Sequence, residues 1–135
     1  MARSKRSHVT STAIDTAAQP DWLRTGYTFF PYAANYSGQW WVLRLNHGFP
    51  EHDLYTVFID GRPAANITAN PDDPSPLLAG VAALKPFDRA GAEPVLDAET
   101  AAAVVKGVSA YVNYGSEHDD PCIFCSKDYD PMVRI

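Results

Sequence analysis

Between Tyr27 and Phe58 the chain places ten of its sixteen aromatic residues, namely Tyr27, Phe29, Phe30, Tyr32, Tyr36, Trp40, Trp41, Phe49, Tyr55 and Phe58. Aromatic enrichment broken by turn signals is what antiparallel strands require, because large flat side chains pack on a pleated, half-buried surface. The pattern predicts strands near 27–33, 39–45, 54–60 and 63–68. In Gln39 to Leu45, alternation sets Trp41, Leu43 and Leu45 on one face and Trp40, Val42 and Arg44 on the other. Both faces are largely apolar, which predicts a central strand covered on both sides.

The turns connect these strands into a meander. Asn35-Tyr36-Ser37-Gly38 supplies the first, Asn46 to Pro50 opens a longer loop, and Asp60-Gly61 is a two-residue signal for a type I′ hairpin. Pro63 cannot donate to a ladder, so the strand after that hairpin is expected at an edge or with a delayed start.

Two helices are expected in the second half. Ser75 as N-cap and Pro76 at the first helical position open a short one with Leu77, Leu78, Val81 and Leu84 as its apolar stripe, stopped by Pro86. Asp97 as N-cap and Glu99 in the first turn open a longer one running to Gly115, with Ala101, Val104, Val105, Val108, Tyr111 and Val112 at helical spacing. The expected fold is α+β: an antiparallel meander of about four strands over residues 27–68, with two helices packed on one face. Residues 1–19 read as a flexible basic arm, and 20–135 as one domain ending in an irregular acidic segment over 116–135.

Charge bounds the partners. The formal charge is −5 over 135 residues, and Arg3, Lys5 and Arg6 in the arm offset a more acidic remainder of 8 basic against 16 acidic residues. Such a body repels a phosphate backbone, so nucleic-acid binding is not expected, whereas a basic partner protein suits it. The first twenty residues lack the apolar stretch of an export signal, and the longest apolar run, Leu77 to Leu84, is far short of the roughly 20 residues needed to span a bilayer. These features lead to the expectation of a soluble, cytoplasmic protein that makes no membrane contact.

Cys122 and Cys125, the only cysteines, follow His118 within Glu117-His118-Asp119-Asp120-Pro121-Cys122-Ile123-Phe124-Cys125. The acidic neighbours would raise the thiol pKa, which argues against a redox couple. They favour a divalent cation, so His118, Cys122 and Cys125 are candidate zinc ligands, with two ordinary reduced thiols as the plainer reading. A second constellation, His47, His52 and Asp53, sits on the loop after the Trp40-Trp41 strand and could do acid–base work. No nucleophile or phosphate-loop motif accompanies it.

The functional expectation is therefore a non-catalytic protein-binding role of inhibitor, immunity or adaptor type. Tyr36, Trp40 and Tyr55 would serve as anchors if exposed, with Glu117, Asp119 and Asp120 as the acidic component. The alternative is a metal-binding or acid–base enzyme using His118, Cys122 and Cys125, or His47, His52 and Asp53. Self-association through a sheet edge or an aromatic face is a third reading.

Overall fold

The computed structural model of the chain describes residues 8–9 (backbone only), 14–46, 53–87, 93–112 and 130–134. The described residues form an α+β structure around one antiparallel sheet. Its strands are β1 (His8–Val9), β2 (Leu23–Arg24), β3 (Tyr32–Tyr36), β4 (Gln39–Leu45), β5 (Tyr55–Ile59) and β6 (Arg62–Thr68). β2 to β6 run as a five-stranded meander, one strand more than the spacing of turns predicts, and β1 adds at the far side of β6.

Two tight turns set the register. Ser37 and Gly38 have φ of 52° and 77°, and Asp60 and Gly61 have 51° and 77°, so both hairpins carry the paired left-handed residues of a type I′ turn. Tyr36 therefore opposes Gln39, and Ile59 opposes Arg62. β6 begins before Pro63 and absorbs it with a shift of register, Val57 facing Ala65 while Phe58 faces Pro63. The open side of β6 thus carries Arg62, Pro63 and an irregularity, the features that discourage further pairing.

The first strand starts later than expected. Thr25 holds the Tyr27–Pro31 stretch in an irregular, buried path: its N–H donates to Pro31 O, its hydroxyl donates to Phe30 O and accepts from Tyr27 N–H, while Leu45 N–H donates to Phe29 O. The Phe29 and Phe30 carbonyls thus accept hydrogen bonds outside any strand ladder, and the buried Phe29 and Phe30 enter the core from a non-strand backbone.

The helices are α1 (Pro76–Ala82) and α2 (Ala98–Lys106). Ser75 stands at the α1 N-cap without a side-chain cap bond, whereas the Asp97 carboxylate accepts from Thr100 N–H at 3.0 Å. α2 stops at Lys106 with Gly107 as its C-cap, short of the expected end at Gly115, and Ser109–Tyr111 continue as one 3₁₀ turn.

The helices do not share a face. Leu77, Leu78 and Val81 of α1 pack with Trp41, Leu43, Leu45, Tyr55 and Val57. Ala101 and Val105 of α2, with Val108 beyond it, pack with Ala33, Val42 and Phe58 on the other side of the sheet. Each helix is too narrow to cover five strands, and β4 presents apolar residues in both directions, so one helix on each side buries more surface than two on one.

The arm also contributes. Ile14 and Ala18 lie in the α1 core, Leu77 N–H donates to Thr16 O at 3.1 Å, and His8 and Val9 pair with Thr68 and Ile67. The folded unit takes in residues that composition alone leaves to a solvated tail, since the loss of chain entropy is offset by burial of Ile14 and Ala18 in the cluster that holds Trp22 and the α1 leucines. At the other end, Tyr27 bridges Arg134, Thr28 N–H donates to Val133 O at 3.0 Å, and Met132 packs on the α2 core.

Candidate functional site

Three clusters of polar or aromatic side chains stand out. In the first, β4 alternation sends Arg44 to the α2 face, where pairing places Thr56 opposite it and Asn66 opposite Thr56. The Arg44 side chain is fully buried; Nε donates to Asn46 Oδ1 at 2.8 Å, Nη2 to Thr56 Oγ1 at 2.9 Å and Nη1 to Tyr111 O at 2.7 Å. The Thr56 hydroxyl donates to Asn66 Oδ1 at 2.7 Å, and Asn46 Nδ2 donates to Thr56 Oγ1 and to Asp53 O, both at 2.9 Å. The guanidinium lies 5.4 Å from the Phe58 centroid, and the Tyr111 ring stacks on Phe58 at 5.3 Å. A buried guanidinium satisfied by amide, hydroxyl and carbonyl oxygens ties sheet to helix, and its burial keeps it from meeting a dissolved substrate.

Asp53, the described member of the His47, His52, Asp53 constellation, accepts from the Thr68 hydroxyl at 2.7 Å, while Leu54 N–H donates to Thr68 Oγ1 at 3.1 Å. This carboxylate links the start of β5 to the end of β6. His47 and His52 lie outside the described residues, as do Glu117, His118, Asp119, Asp120, Cys122 and Cys125. Among the described residues no group of three or more histidine, cysteine or acidic side chains is gathered as a metal site.

The second cluster joins the connector after α1 to the β2 edge. Glu93 accepts from Arg24 Nε at 2.7 Å and forms an ion pair with its Nη2; Tyr32 Oη donates to the same carboxylate, with both oxygens at 3.1 Å. Lys85 N–H donates to Tyr32 Oη and Glu93 Oε2, each at 3.1 Å, and Arg24 Nη2 donates to Lys85 O at 3.0 Å. Partial burial opposes ionisation of Glu93, but the bonds from Arg24, Lys85 N–H and Tyr32, and the Arg24 charge, hold its carboxyl below the usual range. Burial, then the hydrogen bond to Glu93 and its charge, push the Tyr32 phenol up to about 12.

The third is an open groove of about 760 Å³ where the hairpin tips meet α2. Trp40, Val42, Ile59, Val104 and Val108 supply apolar surface, and Gln39, Asp60 and Arg62 stand at the rim. A Cβ on Gly61 would lie 3.5 Å from Gly107 O, so the β5–β6 turn closes directly on the end of α2. Trp40 is partly buried there, and Gln39 Nε2 donates to Asp60 Oδ2 at 3.3 Å.

The three aromatic anchor candidates are separated. Tyr36 lies on the α1 face, edge-on to Trp41 with centroids 5.5 Å apart, opposite in direction to Trp40. Tyr55 is 2% exposed, and its hydroxyl and Trp41 Nε1 are buried without a hydrogen-bond partner among the described residues. Burial first, then Tyr32 and Glu93, raise the Tyr55 phenol pKa. Tyr55 therefore belongs to the core instead of an exposed surface, because its strand neighbours Leu45 and Ile67 face the side that α1 covers. Arg44 and Glu93 carry the strongest polar networks, and neither has a motif; the one early sign is a lone arginine in the apolar alternation of β4.

No protein-family model, curated protein or solved structure matches this chain. Among the described residues no helix is long and apolar enough to cross a membrane.

Proposed function

We propose that this chain acts by binding another protein, as an inhibitor, immunity factor or adaptor in the cytoplasm, and that its partner is basic. The observation that carries the reading is Trp40, partly buried in an open groove with an apolar floor and a polar rim. An indole so placed combines large rigid area with a free edge, the chemistry of residues that dominate interface energy. The net charge of −5, to which Glu117, Asp119 and Asp120 contribute, supports capture of a cationic surface.

Affinity capture from native lysate tests the reading when three baits are compared: the wild-type chain, Trp40→Ala, and a chain with Glu117, Asp119 and Asp120 neutralised. Truncating an anchoring tryptophan should weaken a bound partner by at least about 2 kcal/mol. Neutralising the acidic trio should slow association and reduce its salt dependence. A partner held equally by all three baits at every salt concentration overturns the proposal. Metal analysis of the same preparation addresses zinc at His118, Cys122 and Cys125.

A further inference from the structure

Building on the protein-binding reading of the Trp40 groove, we infer that the group a partner seats there is a guanidinium, an arginine lying along the indole with its charge turned to Asp60. Trp40 lines the groove, and an indole is the aromatic that draws a cation most strongly to its ring. A guanidinium is planar and more weakly hydrated than an ammonium, so it stacks on such a ring at a smaller loss of water. Val42 and Val104 continue the apolar lining beside Trp40, which suits the hydrocarbon stem behind the charged head.

Asp60 supplies a carboxylate that is already in place. Its backbone is set by the type I′ turn, with φ of 51°, and its N–H donates to Trp40 O at 2.9 Å. Oδ2 accepts from Gln39 Nε2 at 3.3 Å, so little freedom is left for a ligand to remove. Among the described residues no cation is paired with this carboxylate. The end of α2 adds to the same field: its C-cap Gly107 lines the groove, where the carbonyl end of the helix carries the negative pole of its dipole. Lys106, in the last turn of α2, does not line the groove.

Arg62 is the opposing charge, exposed on the same rim two residues after Asp60. A bound anion would gain Arg62 and meet both Asp60 and the carbonyl end of α2; a bound cation gains those two and the indole, and meets Arg62 alone. The net charge of −5 tilts the balance the same way. Charge and shape together therefore select a flat cation on an apolar stem.

The test uses N-acetyl-arginine amide at low salt on the intact chain, followed by NMR through the Trp40 indole N–H and the Gly61 and Gly107 amides. The citrulline analogue, of the same shape without the charge, runs beside it. Arginine should give saturable shifts, and citrulline should bind about tenfold more weakly. Asp60→Asn should bind arginine about two- to fivefold more weakly, the range of an exposed charge pair, and Arg62→Ala should bind it more tightly. Asn-Gly favours the same turn and keeps an acceptor for Gln39, so Asp60→Asn should fold; the citrulline comparison decides in wild type if it does not. Citrulline bound as well as arginine, arginine bound equally by Asp60→Asn and wild type, or no shift with tens of millimolar arginine overturns the guanidinium. Capture with Trp40→Ala and Asp60→Asn baits separates this from the groove itself. A partner lost with Trp40→Ala and held undiminished by Asp60→Asn overturns the guanidinium and leaves the groove reading standing, whereas a partner held equally by Trp40→Ala overturns both.

Discussion

Arg44 donates through Nη1 to the carbonyl of Tyr111 at 2.7 Å, tying the central strand of the sheet to the turn that follows α2. With Nε on Asn46 and Nη2 on Thr56, one buried side chain holds three separate segments. Replacing it by alanine strands acceptors that water cannot reach, so Arg44→Ala should lower unfolding free energy in urea by on the order of 3 kcal/mol. Arg44→Lys should recover less than half of that loss, since one ammonium cannot reach all three directions. An Arg44→Ala protein as stable as wild type would show that the network does not hold the fold.

Glu93 makes stability depend on pH at the acid end. Its folded pKa lies below the ordinary 4.5, so the unfolded chain takes up a proton first. Its contribution is fully present above 4.5 and is lost as pH falls through the folded value. Glu93→Gln should therefore be less stable than wild type at neutral pH, with the two curves converging in acid. Parallel curves over the whole range would remove Glu93 from the account.

Tyr32 acts at the alkaline end with the opposite sign. Its folded pKa of about 12 exceeds the ordinary 10.0, so its contribution is complete below 10.0 and disappears as pH rises from 10.0 to about 12. A phenolate formed there would face the Glu93 carboxylate at hydrogen-bond distance. Tyr32→Phe should flatten the loss of stability over this interval, and a wild-type stability constant through it would contradict the assignment.

Two glycines should respond to alanine in opposite directions. A Cβ at Gly80, exposed in α1, meets nothing within 4 Å, so Gly80→Ala should stabilise the fold by roughly 0.5–1 kcal/mol. Gly61 has φ of 77° in a type I′ turn, and Gly61→Ala should cost about 1–2 kcal/mol. Thermal unfolding of the two variants side by side checks both signs.

The parts of the fold legible in the chain are those set by neighbours in sequence. Asp60-Gly61 and Ser37-Gly38 announce their turns because two consecutive left-handed residues are tolerated in few combinations. The β4 alternation is visible because its period is two, and Asp97 because a carboxylate before an apolar stripe caps a helix. What was hidden depends on distant partners. Tyr27 to Pro31 has the composition of a strand, yet its backbone is satisfied by Thr25 and Leu45, which composition does not reveal. The face taken by α1 follows from the path of residues 69–75, and neither stripe nor cap encodes that direction. Of the anchor candidates, Trp40 lines an open groove, whereas Tyr55 has the same chemistry and is buried, because which face α1 covers is decided elsewhere.

The meander also fixes the order in which the chain can assemble. From β2 to β6 every paired strand is also the next in sequence, and two of the connections are two-residue turns, so little chain must be immobilised before hydrogen bonds form. Contacts that join distant parts of the sequence, such as Arg24 with Glu93 or Thr28 with Val133, close only after that framework exists. Pulse-labelled amide exchange during refolding should protect β4 and β5 first and the Arg24 and Thr28 N–H groups, bonded to Pro94 O and Val133 O, last. The β2 margin of the sheet is then the late-closing part of the molecule, and a chain leaving the ribosome carries its central hairpins before Glu93, Pro94 and Val133, which seal that margin, exist.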